Sequence, residues 1–269
     1  MGARSGVKLA PVLAGVEFCV LQALERARPL RAATESKRTR ETRNLIVAAI
    51  GAVPTLFLEA PLARCLATFV ERRRWGLLAR LALPPALETL LSIVLLDYTL
   101  FVWHMLTHRV PLLWRFHAVH HVDRDLDATT ALRFHAGELT LAIPWRLAQI
   151  AAIGVTPRAY TLWQTCLVLS ILFHHSNVRL PERWERLLAL VIVTPRAHGI
   201  HHATSQRLTH ANWSSGLSCW DRLHGTWRTD VAQADIAIGL PAYRDDRAVT
   251  LGAILLQPFR VEASAFDPA

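Results

Sequence analysis

Apolar stretches of helical length run along this chain, separated by short charged or proline-bearing interruptions. Residues 9 to 24, LAPVLAGVEFCVLQAL, form the centre of a first, weak membrane helix over 7 to 25. Behind Arg4 and Lys8 this run has the length of a signal-peptide core, but Glu17 interrupts it and no clear small-residue cleavage site follows. Residues 45 to 70, LIVAAIGAVPTLFLEAPLARCLATFV, are divided by Pro54 and Pro61, which predicts either a kinked helix or a hairpin. ERRRWGLLARL (71 to 81) bunches its arginines in one turn beside Trp75, the pattern of a helix lying among lipid headgroups. The strongest run, ALETLLSIVLLDYTLFVWHMLTH, follows Pro85 and carries Asp97, His104 and His108 in its later half. Residues 139 to 173 break at GVTPRAY into two marginal spans joined by a tight turn. From 181 the chain is more polar, alternating short helical patterns with loops, and its last 40 residues carry no assignable pattern.

No uninterrupted apolar run reaches the roughly 18 residues that mark a membrane span unaided. Composition tips the balance towards the bilayer, with 52% hydrophobic residues and a mean hydropathy of +0.25. The predicted fold class is therefore all-α: an integral membrane helix bundle of about four membrane helices or helical hairpins, with a cytosolic histidine-rich helical cap. Its expected divisions are an N-terminal membrane helix and basic loop (1 to 43), a central unit (44 to 230) and a C-terminal tail (231 to 269).

The formal charge of +9 changes this picture little. Lys8 and Lys37 are the only lysines, the arginines are scattered, and the densest basic stretch (26 to 43) contains two glutamates and no stacking aromatics. That argues against a nucleic-acid groove and suits a juxtamembrane loop on the cytoplasmic side. Cys19, Cys65, Cys166 and Cys219 form no CxxC pair, so neither a disulfide framework nor a thiolate zinc site is indicated.

All 13 histidines fall between His104 and His224. They include HMLTH (104, 108), HAVHH (117, 120, 121), FHHSN (174, 175) and HGIHH (198, 201, 202). On a helix, positions i, i+3 and i+4 share a face, so each box can aim its rings at one point. Thr194 and Pro195 even supply the N-cap and first residue of a helix bearing the last box. At this histidine frequency one HxxHH is expected about 0.03 times in such a chain. Two occur, which points to metal. Nine or ten imidazoles exceed the ligand set of one zinc ion, and HExxH is absent, so two ions are implied. Imidazole suits iron, zinc, copper and nickel alike.

These boxes, with DATTALRFHAGE (127 to 138), FHHSNVRLP (173 to 181), TPRAHGIHH (194 to 202) and SCWDRLHGTWR (218 to 228), resemble the fatty acid hydroxylase superfamily, in particular its bacterial sterol-desaturase-like branch. The likeness runs from about 40 to 230. It implies a membrane-bound non-haem diiron oxidoreductase, with two iron ions as cofactor and O2 as cosubstrate, that hydroxylates or desaturates a sterol, fatty acyl or related lipid. An external electron donor, a ferredoxin or a cytochrome with its reductase, is implied as partner. The resemblance also implies His104, His108, His117, His120, His121, His198, His201 and His202 as ligands, with His135 and His175 matching further family histidines and His174 the weaker of its pair. Phe101, NWSSG (212 to 216) and His224 depart from the usual pattern without removing a box.

Removing hydrogen from an unactivated alkyl chain needs a stronger oxidant than any side chain, so that step falls to metal and O2. Supporting carboxylates should hold the outer ring nitrogens. Asp97, seven residues before His104, is the first candidate, as that or as a packing contact. Glu138, Asp221 and Asn212 are further candidates, though caps, ion pairs and turns use the same residues. Arg133 is a candidate to anchor a carboxylate, although surface arginines abound in this chain, and Trp103, Trp114 and Trp145 are expected at the lipid interface. If 85 to 104 runs inward and 139 to 173 runs out and back, every box lands on the cytoplasmic face of what should be a bacterial inner membrane. Arg72, Arg73 and Arg74 fit that orientation only if 45 to 70 is a hairpin. The rival reading is a non-redox membrane protein that binds or transports zinc or copper.

Overall fold

The computed structural model describes residues 3 to 260, and among them the regular structure is helical, with three isolated β-bridges and no strand. The main helices are α1 (Ala3–Ala27), α2 (Lys37–Pro54), α3 (Ala60–Arg73), α4 (Pro85–Arg109), α5 (Pro111–His121), α6 (Ala136–Ile153) and α7 (Pro157–His175). Shorter ones follow: α8 (Glu182–Ala189), α9 (Pro195–His201), α10 (Gln206–Thr209), α11 (Cys219–Leu223) and α12 (Leu251–Leu256).

Pro54 and Pro61 do not make a hairpin. A five-residue π-helical turn, Thr55–Glu59, joins α2 to α3, with the Ala60 N–H reaching back to the Thr55 carbonyl. The missing proline donors are absorbed by this one wide turn, so the helix runs on through both prolines. Arg72, Arg73 and Arg74 consequently lie at the end opposite the histidines. The headgroup helix expected over 71 to 81 is also corrected. Arg74 adopts φ 49° and ends α3, and only the short turn Leu78–Arg80 follows.

Four limbs alternate in direction. The α2–α3 helix starts against the loop after α5, where Asn44 Nδ2 donates to Asp123 Oδ2 at 2.8 Å. It ends against the far end of α6, where the Leu77 N–H donates to the Ala152 carbonyl at 2.9 Å. Here Gly76 (φ 101°) and Gly154 (φ 89°) meet backbone to backbone; a Cβ on Gly76 would sit 2.4 Å from the Gly154 Cα. Helix α4 returns, α6 leads out and α7 returns, so the ends of α4 and α7 reach the same level. Ala63, Ala67, Leu96, Ile150 and Trp163 pack the far half of this bundle.

By length and composition, Lys37–Arg80 and Pro85–Arg109 can cross a membrane, which meets the expected four at two. On the first of them Val53, Leu56 and Phe57 are 53%, 62% and 73% exposed, an outward apolar band that suits this assignment. Helix α1 packs against α7 through Leu21 and Leu172. The unassigned tail lies outside the described residues after 260; before that it wraps back, placing Leu240, Val249 and Ile254 against Val47, Val119 and Val122.

The basic stretch at 26 to 43 is partly interior. Arg40 pairs with Asp127 and, at 3.0 Å, with Asp123; Arg43 lies 2.9 Å from Glu35, and Arg133 lies 3.3 Å from Asp123. Arg133 thus does anchor a carboxylate. Burial alone would raise the Asp123 pKa, but the Arg40 and Arg133 guanidinium groups overcome it and hold it at about 2. A depressed carboxylate pKa stabilises the fold above its ordinary value of 3.8, and that contribution fades as pH falls towards 2. Removing the acid strands buried cations. Asp123→Ala is expected to cost about 3–5 kcal/mol, seen as a lower thermal midpoint of the detergent-solubilised protein, and an unchanged midpoint would refute the account.

Candidate metal centre

Local sequence delivers the histidines. Val110 leaves the α4 helix in extended geometry and Pro111 starts α5, so the two boxes on either side face each other across one turn. Thr194 caps α9 as predicted, its hydroxyl oxygen accepting the Ala197 N–H at 3.3 Å while bonding Glu185. Arg31 braces this helix from the basic stretch, contacting Gln233 and, at 3.4 Å, the Pro195 carbonyl.

Nine imidazoles converge in two groups, each with its candidate ligand nitrogens within 4.8 Å of one another. The first holds His104, His108, His117, His121 and His201; the second holds His120, His175, His198 and His202. The groups adjoin, with the His121 and His202 rings stacked at 4.3 Å. Each HxxHH box is therefore divided, not aimed at one point. Successive helical residues turn by about 100°, so i and i+4 lie only about 40° apart while i+3 and i+4 diverge by a full step. His117 and His121 share one group and His120 joins the other; His198 and His202 share one and His201 crosses over.

Outer hydrogen bonds fix which ring nitrogen faces inward. A carbonyl only accepts, so the nitrogen against it carries the proton. His104 Nδ1 donates to the Trp213 carbonyl at 2.7 Å, His201 Nδ1 to the Ala211 carbonyl at 2.8 Å and His175 Nδ1 to the Ile171 carbonyl at 2.8 Å. His117 Nδ1 meets Glu138 Oε1 at 2.7 Å. Their Nε2 lone pairs consequently point into the cluster. There the Nε2 atoms of His120 and His175 lie 3.0 Å apart, as do those of His175 and His198, and His198 and His202 lie 3.1 Å apart. Nitrogens about 2.0–2.1 Å from a common ion are necessarily about 3.0–3.4 Å from one another. Several buried ring nitrogens, including His117 Nε2, His121 Nε2 and His201 Nε2, meet no protein partner. Burial first, and neighbouring imidazoles second, push His120, His121 and His198 well below the ordinary histidine pKa. Neutral, buried and crowded nitrogen to nitrogen, these rings fit divalent cations.

The remaining candidates act one step out. Residues 211 and 213 present alternate carbonyls to His201 and His104, and Asn212 between them takes φ 53°. Asn212 Nδ2 donates to the Ala197 carbonyl at 2.8 Å, tying this segment to α9. Asp221 accepts the N–H groups of Trp213 at 2.9 Å and Ser214 at 2.8 Å. Asp97 touches no histidine; it accepts the Leu217 N–H at 3.0 Å and the Trp220 Nε1–H at 2.7 Å, fixing the next turn. Of the four, only Glu138 holds an outer ring nitrogen directly.

His135 is not brought to either group. Its Nδ1 accepts the Gly137 N–H at 2.9 Å as the cap of α6, and its Nε2 reaches the Leu255 carbonyl at 3.3 Å. His174, the weaker sequence candidate, is buried with its ring 4.1 Å from that of His198. His224 instead packs on Phe101 at 4.9 Å. Trp103 lines the cavity beside the cluster and Trp114 packs 5.0 Å from His108, so neither is confined to a lipid interface. That cavity, about 290 Å³, is bordered by His104, His117, His120, His174, His175 and His198 and continues between α4, α6 and α7.

Residues 89–226 match the family model "Fatty acid hydroxylase". The chain is similar to ornithine lipid hydroxylase OlsE of Rhizobium tropici, 30% identical over 158 residues that cover 58% of this chain and 46% of that protein. It is also similar to human alkylglycerol monooxygenase, 26% identical over 50% of this chain and 29% of the relative. With human cholesterol 25-hydroxylase it shares 27% identity over 52% of this chain and 51% of the relative. The matched part thus spans about half or less of these curated relatives. No solved structure gives a significant match.

Two predictions follow from the donor geometry. Metal analysis of the purified protein should find two ions per chain. His201→Ala should lower that count and His135→Ala should leave it at two; an unchanged count in His201→Ala would undo the grouping. Glu138→Gln, which weakens the hold on the His117 proton, should reduce metal affinity by about 10–100-fold in a chelator titration.

Proposed function

Because this chain belongs to the fatty acid hydroxylase family, with nine imidazoles in two groups beside an apolar cavity, we propose that it is a membrane-bound, O2-dependent diiron enzyme that hydroxylates or desaturates a lipid. The observation that carries this reading is the gathering of nine imidazoles into groups of five and four, with several of their buried ring nitrogens lacking a protein partner. Imidazole alone does not select iron; membership of this family supports it. When bound, two iron ions with O2 supply the oxidant that no side chain can provide.

The chain's own residues then position and shield. His104, His108, His117, His121 and His201 would hold one ion, and His120, His175, His198 and His202 the other. Glu138 and the carbonyls of 171, 211 and 213 keep each attached Nδ1 protonated, so that Nε2 remains a donor whatever the oxidation state. Phe134, stacked 4.5 Å from the His120 ring, closes one side against water. The apolar wall of the cavity, including Leu100, Leu139 and Ile171, takes the alkyl segment that presents its C–H bond to the cluster. A transporter would spread its ligands along a path through the bilayer, whereas these gather at one level.

The relatives' names include two hydroxylases and one monooxygenase, which favours an alcohol as product. We assign the catalytic unit to 44 to 230, flanked by 1 to 43 and 231 to 269. The chain sits as a multi-pass protein in a bacterial inner membrane, its histidine end towards a cytoplasmic ferredoxin or a cytochrome with its reductase, an orientation that leaves Arg72, Arg73 and Arg74 on the opposite side. Lipids from cells with and without the gene, grown under isotopically labelled O2, should differ by a hydroxylated species carrying one labelled oxygen. A new lipid whose oxygen is unlabelled would contradict the use of O2, and an unchanged lipid profile would contradict the enzyme.

A further inference from the structure

The cavity has a second polar end that the metal centre does not use. Glu59, Arg146 and Gln164 border it there. Gln164 precedes His175 by eleven residues on α7, about 16 Å along the axis, and Arg146 follows Glu138 by eight on α6, about 12 Å. Between the two ends the lining is largely apolar.

This end is a built network. Arg146 Nε approaches Glu59 Oε1 at 3.3 Å, and the Tyr160 hydroxyl donates to the same oxygen at 3.1 Å. Gln164 Nε2 donates to the Tyr160 oxygen at 3.0 Å. Arg146 Nη1 donates to Gln149 Oε1 at 2.6 Å, and its Cζ lies 4.3 Å over the Trp163 ring. Glu59 is turned inward by the π-helical step: it is 8% exposed, while Leu56, Phe57 and Leu58 just before it are 62%, 73% and 48% exposed. Such turns recur at functional sites. Stability alone does not call for this arrangement, since well-packed apolar residues usually match or exceed a buried ion pair.

The open valences define a ligand. Among the described residues, Glu59 Oε2 and Gln164 Oε1 receive no donor, and Arg146 Nη2 finds no acceptor. The site therefore offers two acceptors and one donor on a framework whose formal charges cancel. We propose that it binds the hydroxyl group of a lipid alcohol, whose hydrocarbon portion extends along the cavity to the histidines. A hydroxyl donates and accepts at once. A carboxylate or phosphate would bring an uncompensated charge against Glu59, and a plain hydrocarbon would leave buried polar atoms unpaired. The cavity, about 290 Å³, lies at the lower end of ligand pockets and suits a single chain or ring system.

Which end of the ligand reacts rests on the proposed function, but binding at this site does not. In equilibrium dialysis of the detergent-solubilised full chain, with bound ligand referenced to empty micelles, radiolabelled hexadecanol should bind about tenfold or more tightly than hexadecane or hexadecanoate. Gln164→Leu should erase most of that preference while leaving hexadecane binding unchanged, with circular dichroism confirming that the variant is folded. Equal binding of alcohol and hydrocarbon by the unmodified protein, or tighter binding of the acid, would overturn the proposal without any variant. His201→Ala should keep the alcohol preference. Two bound ions without an alcohol preference refute this inference alone, and an alcohol preference with no metal refutes the proposed function alone.

Discussion

The structure depends on one electrostatic constraint: neutral imidazoles whose lone pairs face each other repel, and burial denies them water. A His175 ring that already donates Nδ1–H to the Ile171 carbonyl has only a lone pair to offer at Nε2, where two other Nε2 atoms approach to 3.0 Å. No distribution of protons satisfies such a knot without leaving buried nitrogens unpaired, and several are unpaired. A cation at the centre reverses the sign of the interaction, turning mutual repulsion into shared coordination. Rings crowded against such repulsion need partners outside the cluster to hold them, which accounts for the outer hydrogen bonds of His104, His117, His175 and His201.

Much of the fold serves that holding. Asp123 and its arginines fasten the start of α2 to the loop beyond α5, Arg31 braces α9, and Asn212 and Asp221 fix the segment whose carbonyls meet His201 and His104. These contacts link residues far apart in sequence, such as 40 with 123, 31 with 195 and 97 with 220. The division of each HxxHH box follows from the same geometry. A helix that presents an i, i+4 pair to one ion must turn the i+3 residue towards a second, so one short motif on each of two helices suffices to build adjacent sites.

The histidine boxes, the cap of α9 and the helix pair around GVTPRAY were legible because each is a local signal: spacing, a Thr-Pro start, a glycine break. What could not be read was pairwise. His135 looks like a ligand by motif, yet it lies at a helix start, where an imidazole nitrogen can accept a free backbone N–H, and that contact captures it. Asp97 has the helical phase to face His104, but phase says nothing of the Trp220 and Leu217 donors that occupy it. The carbonyls that orient His104, His175 and His201 have no sequence signature, because every residue carries one. Pro54 and Pro61 left kink and hairpin equally open, since proline removes donors without saying whether the chain widens its turn or reverses.

That wide turn has a consequence for chemistry in a bilayer. An apolar helix passing lipid outward and an acid inward must change its angular register somewhere, and a π-helical step does so without breaking the rod. Phe57 is thereby left 73% exposed while Glu59, two residues on, is buried against Arg146 and Tyr160. In the proposed reading, the same helix that contacts the membrane thus carries one pole of the cavity, and α4, α5, α7 and α9 carry the other. In that reading, a ligand bridging the two would be measured by their separation, and the site of oxidation along its chain would follow from a length fixed in the helices and not from recognition of the reacting carbon itself.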